Sequence, residues 1–208
     1  MTQKRARKTK HELSRETTVA LIKQATTDLF VERGYQNCTI EAIARQLGMT
    51  KGAVYHYYAS KDEIIASILD EIEASIFASI EKAGSLDDAS AERRLVVFLN
   101  AQASYAMHNP KAFCLLVLCL VSFAGTELVV DKVRDIFDRL ETIIREIVAE
   151  GAAAAEFSAG IDPVSLARSI VGAYAGNVIA WQRAGFAPEI GRALVTELRQ
   201  MILARIRS

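Results

Sequence analysis

Apolar residues recur every three to four positions along most of this chain, and the places where that rhythm stops hold the residue types that start and end helices. Val19, Ile22, Ala25, Leu29 and Phe30 predict a helix over 15–33, with Gly34 as its stop. Thr39 then has the side chain of an N-cap for a short helix carrying Ile40, Ile43, Ala44 and Leu47, which ends at Gly48. Thr50 caps a third short helix over 51–57, whose Val54, with Tyr58 just beyond it, faces inward. Ser60 followed by Glu63 is a capping box, so a longer fourth helix is expected over 61–82. The stretch 83–89 carries Gly84, Ser85 and two aspartates, which predicts a domain boundary.

The second half reads as helix throughout. Helices are expected over 91–108; over 110–124, with Asn109 as cap and Pro110 first; over 127–150, closed by Gly151; over 163–184, opened by Asp162 and Pro163 and ended by Gly185; and over 188–206, opened by Pro188. The fold class is therefore all-α, with about nine helices and no strand. Composition agrees: 3 prolines and 11 glycines in 208 residues leave few breaks. The longest apolar run, Ala112 to Ala124, is well short of the ~20 residues a membrane helix needs and reads as a buried helix. The basic, polar start has no apolar stretch behind it, so no secretory signal is expected and the cytoplasm is the expected location. Cys38, Cys114 and Cys119 form neither an even disulfide set nor a zinc spacing, and read as reduced core thiols.

Charge changes the picture. The formal net charge is zero, yet residues 1–61 hold eleven Lys or Arg against five Asp or Glu, and the remainder is acidic to the same extent. Clustered positive charge is the footprint of a polyanionic partner, although Lys4, Arg5, Arg7, Lys8 and Lys10 can equally form a solvated tail. The local layout favours nucleic acid. Ala44 is small where two helices would cross, Gly48 suits a sharp turn, and Ile43, Leu47 and Val54 supply a seam, which is the plan of a helix-turn-helix. Its second helix would present Thr50, Lys51, Gly52, Ala53, Tyr55, His56 and Tyr57, all small, basic or hydroxyl-bearing apart from the imidazole. His56 has no second ligand at metal spacing, so no metal site is expected there.

The stretch FVERGYQNCTIEAIARQLGMTKGAVYHYYASKDEII, Phe30 to Ile65, carries GY, T-I-x-x-I-A, K-G-x-x-Y-x-Y-Y and S-K-x-E elements in an order that resembles the TetR family of transcriptional regulators. The resemblance implies a basic arm at 1–14, a three-helix DNA-binding domain with its linking fourth helix over 15–82, and a larger helical effector-binding and dimerisation domain over 83–208. It also implies that helix 51–57 enters the major groove, with Lys51 donating to guanine and the Ala53 methyl touching thymine. Gly52 would let the backbone approach, while Tyr55, His56, Tyr57, Thr39, Thr50 and Lys61 would bond phosphates and Tyr58 would pack in the core. The basic arm would reach the minor groove. Further on, E-G-A-A-A-A-E-F-x-A-x-x-D-P and a helix from Ala167 through Val171 and Gly172 to Trp181 are similar to the AcrR-like branch.

One reading helix spans only a few base pairs, so a homodimer on a palindromic operator is expected. The last two helices are its expected interface, through Ile170, Val171, Tyr174, Val178, Trp181, Leu194, Leu198, Met201 and Ile202, with Gly172 and Gly176 permitting close approach; the same stripes could face the chain's own core. By resemblance the second domain encloses a cavity for a small apolar or aromatic effector, lined by Tyr105, Phe113, Leu116, Leu120, Phe123, Phe137, Asn177 and Trp181. The implied protein is a repressor that its effector releases from DNA. A helical enzyme or an interaction module that has lost DNA binding is the alternative. The chain has no Gly-rich phosphate loop, GxSxG or HExxH, so neither catalysis nor a cofactor is expected.

Overall fold

Caps fix where most helices begin. The computed structural model describes residues 10–82, 89–122 and 125–207, and the basic residues ahead of Lys10, the boundary stretch 83–88 and Phe123 lie outside them. Within the described residues the chain forms α1 (Lys10–Asn37), α2 (Ile40–Leu47), α3 (Lys51–Tyr55), α4 (Lys61–Lys82), α5 (Ala91–His108), α6 (Pro110–Ser122), α7 (Glu127–Ala153), α8 (Pro163–Arg183) and α9 (Pro188–Arg207), with no strand. The chain divides into two compact units, Met1–Ile68 and Leu69–Ser208. The division falls inside α4, where the sequence placed it after that helix.

In the first unit, α1 buries Ile22, Ala25, Leu29 and Phe30, as the periodicity predicts. It starts at Lys10 rather than at 15, so part of the expected arm is helical. Gly34 breaks it by adopting φ 75°, ψ 170°, and a helical turn resumes beyond the break as far as Asn37. Buried Thr26 and Thr27 donate their hydroxyls to the carbonyls of Ile22 and Lys23, at 2.8 and 3.0 Å, so their polar atoms are satisfied inside the core. At α4, the Glu63 N–H donates to Ser60 Oγ at 3.1 Å, and the Glu63 carboxylate accepts from the Ala59 N–H at 2.8 Å, one residue ahead of the N–H that a capping box uses.

In the second unit, α6 is the most apolar helix and buries Phe113, Cys114, Leu115, Leu116, Val117 and Cys119. It meets α5 at a bend of 108°, and no single helix among the described residues is long and apolar enough to cross a membrane. Burial pushes the Cys38 thiol up to about 11, despite the nearby Lys61 charge, and that of Cys114 up to about 12. These thiols stay protonated at neutral pH and behave as core residues.

Two expectations need correcting. Gly151 does not end α7, which continues to Ala153; instead, a Cβ there would lie 2.4 Å from the Phe157 ring, so the missing side chain makes room for that ring. Ile170, Val178, Trp181, Leu198 and Ile202, expected at a dimer interface, are buried in the core of their own unit. Of the other residues expected there, Gly172, Gly176 and Met201 are exposed, Met201 at 67%, and Ala180, Ile190 and Ala193 are exposed apolar positions on the same two helices. A Gly151→Val substitution is expected to lower stability by about 1–3 kcal/mol through overpacking against Phe157, read from the midpoint of urea unfolding. An unchanged midpoint would mean that the ring has another place to go.

Candidate functional site

The α2–α3 corner is built around one turn. Gly48 takes φ 65°, ψ 26°, and the Met49 N–H reaches back to the Ala44 carbonyl at 2.9 Å, closing α2 and turning the chain sharply into α3. Ile43, Ala44 and Val54 are buried, and so hold the two helices together. Thr39 and Thr50 are N-caps, their hydroxyl oxygens accepting from the Ala42 and Ala53 N–H groups at 3.1 Å in each case. α3 is only five residues long: His56 is its C-cap, and Tyr57 lies beyond the helix rather than in its last turn. The His56 and Tyr57 rings meet edge to face at 5.3 Å.

The outer side of this corner exposes Thr50, Lys51, Gly52, Tyr55 and His56, while Thr39, Ala53, Tyr57, Tyr58 and Lys61 are half-buried. Tyr55 is 45% exposed, a large aromatic surface left in solvent. The Lys51 ammonium lies 5.5 Å from the centre of the Tyr55 ring and donates a hydrogen bond to the Glu41 carboxylate on α2. That bond holds the Glu41 carboxyl below, and the Lys51 ammonium above, their ordinary values. Lys61 is placed differently. Its ammonium donates to the Tyr35 carbonyl at 2.8 Å and sits 3.5 Å from the centre of the Tyr35 ring, whose hydroxyl donates to buried Asp62 at 2.9 Å. The half-buried Lys61 therefore braces the end of α1 against the start of α4.

Two small cavities lie among the described residues of the second unit. One, about 30 Å³, is lined by Ala106, Met107, Phe113, Asn177, Trp181 and Leu198 among others; a second, about 10 Å³, is lined by Phe98, Gln102, Phe113, Phe137, Ile144 and Val171 among others. Phe113 and Tyr174 line both. No charged side chain lines either. The Tyr174 hydroxyl donates to the Leu99 carbonyl at 2.9 Å, the Trp181 indole to the Ala187 carbonyl at 2.7 Å and the Asn177 amide to the Leu194 carbonyl at 3.3 Å. Burial raises the Tyr174 hydroxyl far above the ordinary phenol value, so it stays a neutral donor.

Of the expected lining residues, Phe113, Phe137, Asn177 and Trp181 face these cavities. Leu116 is wholly buried and Leu120 half-buried, and neither lines them. Tyr105 stacks edge-on against Phe113 at 6.1 Å without lining either cavity, its hydroxyl pushed up to about 12 by burial and by the nearby Glu71 charge. Among the described residues, no group of three or more His, Cys, Asp or Glu is placed to hold a metal.

Residues 22–68 match the defining sequence pattern of the bacterial regulatory proteins of the tetR family. They contain the whole α2–turn–α3 corner. The chain thus carries a TetR-family N-terminal domain. The MbdR regulator from Azoarcus sp. CIB is similar in structure, with 29% identity, 92% of this chain and 100% of that one covered, and a TM-score of 0.77. The fatty acid metabolism regulator protein of Bacillus subtilis is 25% identical over 76% of this chain and 79% of its own. The nucleoid occlusion factor SlmA of a Marinomonas species is 24% identical over 68% and 69%.

In this corner the sequence reading missed Glu41, whose signal is its place one residue into α2, across the turn from Lys51. In the second unit it missed Gln102, Met107 and Gly191; a Cβ on Gly191 would lie 2.6 Å from the Trp181 indole, so this glycine seats that ring. Glu41 neutralises a cation on the exposed face. Glu41→Gln is therefore expected to tighten binding to a random-sequence duplex and to steepen the slope of log K against log[salt] by about one, read by fluorescence anisotropy across a salt series. Unchanged affinity and slope would show that the pair lies off the DNA path.

Proposed function

We propose that the protein is a ligand-responsive repressor that grips a palindromic DNA operator as a homodimer and lets go when a small uncharged effector fills its second unit. The exposed Lys51–Tyr55 face of α3, on a helix-turn-helix fixed by Gly48, is the observation that carries this reading. On that face Lys51 is the base-reading cation, and the Ala53 methyl is the contact to thymine. Gly52 lets the backbone come close, and Tyr55, His56, Tyr57, Thr39 and Thr50 fix position on phosphates. Lys61 acts chiefly by bracing α4, with any phosphate contact secondary. The cytoplasm, where the DNA is, is the place of action, and the chain works by binding rather than by catalysis. The family assignment and a relative named as a metabolic regulator support this.

Dimerisation is assigned to the outer face of α8 and α9. Gly172 and Gly176 have open space beyond their Cα atoms, and Ala180, Ile190 and Met201 continue an apolar surface beside them. Small residues let a mate's helices approach closely. An effector enters through rearrangement of the cavity walls and favours a conformation with low DNA affinity, which requires only that it bind that conformation better.

Rounds of selection from random duplex DNA should enrich a two-fold-symmetric motif with the wild-type protein. Lys51→Ala combined with Tyr55→Ala should abolish the enrichment while leaving the circular dichroism of the fold intact. Enrichment of the same motif by the double variant would overturn the role given to α3. Gly176→Arg should convert the dimer to monomer in sedimentation at micromolar concentration and weaken operator binding at least tenfold, since the two half-sites are then engaged singly.

A further inference from the structure

Gln102 is a polar side chain in the wrong solvent. It is only 5% exposed, on α5, and it faces the smaller cavity among Phe98, Phe137, Leu140 and Ile144. Other buried polar side chains of this protein are paired: Thr26 and Thr27 with backbone carbonyls, Asp62 with Tyr35. The Gln102 amide makes no hydrogen bond to another side chain or backbone group among the described residues, and its side chain forms part of the wall of the smaller cavity. A buried amide without a partner is destabilising, and its retention in an apolar wall calls for an occupant that satisfies it.

We propose that Gln102 is the polar anchor of the effector site, and that the effector is a neutral molecule with an aromatic or aliphatic body and one carbonyl or hydroxyl group. This deepens the repressor reading and rests on it for the consequence of binding, though not for binding itself. Charge decides the class. With no cation in either lining, a carboxylate would be buried without a counter-ion, whereas an amide can donate to a carbonyl or accept from a hydroxyl at little desolvation penalty.

Space decides the route. At about 30 and 10 Å³ the cavities hold no more than a water or two each, so an organic molecule must join them. The two walls they share differ in freedom. Tyr174 is tied by its hydroxyl to the Leu99 carbonyl, while Phe113 is held by apolar packing and an edge contact with Tyr105. Phe113 is the side chain that swings, and its swing opens a path from Gln102 to Trp181, which lines the larger cavity and is the only tryptophan in the chain.

The test uses three probes of one size, acetophenone, benzoate and ethylbenzene, titrated into the full-length protein with Trp181 fluorescence as readout. Acetophenone should bind most tightly and benzoate least. Gln102→Leu should lower acetophenone affinity roughly five- to tenfold, leave ethylbenzene binding equal or tighter, and raise the melting temperature of the free protein by about 2–4 °C. Gln102→Met serves the same purpose should the leucine variant not fold. A fall in melting temperature with both variants would mean that the amide has a structural partner, and would overturn the proposal. Equal loss of all three probes, or tightest binding of benzoate, would overturn it too. If the probes behave as stated while operator binding is indifferent to them, Gln102 stands as the anchor and the link from site to DNA release fails instead.

Discussion

A helix of five residues makes too few internal hydrogen bonds to persist in water. α3 is such a helix, and its shape is therefore borrowed: Val54 is wholly buried, Thr50 caps one end, and the left-handed turn at Gly48 sets the angle at which it leaves α2. The direction of every exposed side chain on it follows from those three contacts. Lys51 and Tyr55 stand outward because Val54 between them points in. The exposed face of α3 is thus specified largely by residues that lie beneath or beside it.

The second unit solves a different problem with related means. It packs closely enough that glycine makes room for a ring at two places, Gly151 under Phe157 and Gly191 under Trp181. Where packing stops short, at Phe113 and Tyr174, the gaps lie next to polar groups with unequal bonding: Tyr174, Asn177 and Trp181 are satisfied by carbonyls and Gln102 is not. The smaller gap has an amide in its wall that no protein group satisfies among the described residues.

Much of this was legible in the sequence, because capping is local. The start of α4 falls where Ser60 and Glu63 place it, and α5 runs over the expected 91–108. The start of α1 was not legible, since 10–14 carry no apolar rhythm, and the length of α3 was overstated because Tyr57 resembles a helical residue until its backbone is seen. Gly151 was misread for the same physical reason that makes it necessary: a glycine that ends a helix and one that admits a ring are identical in sequence. Apolar stripes on α8 and α9 likewise do not say which partner they face. Leu116 and Leu120 show that an apolar position on the correct helix still packs elsewhere, because a cavity is a property of side chains from several helices stopping short together. Gln102 gave no sequence signal, being one amide on an otherwise ordinary amphipathic helix.

Lys61, clasped between the Tyr35 carbonyl and the face of its ring, with Tyr35 in turn bonded to Asp62, works as a rivet. It leaves no compliant linker between the last turn of α1 and the first of α4. A shift of the first turn of α4 would therefore carry the end of α1 with it.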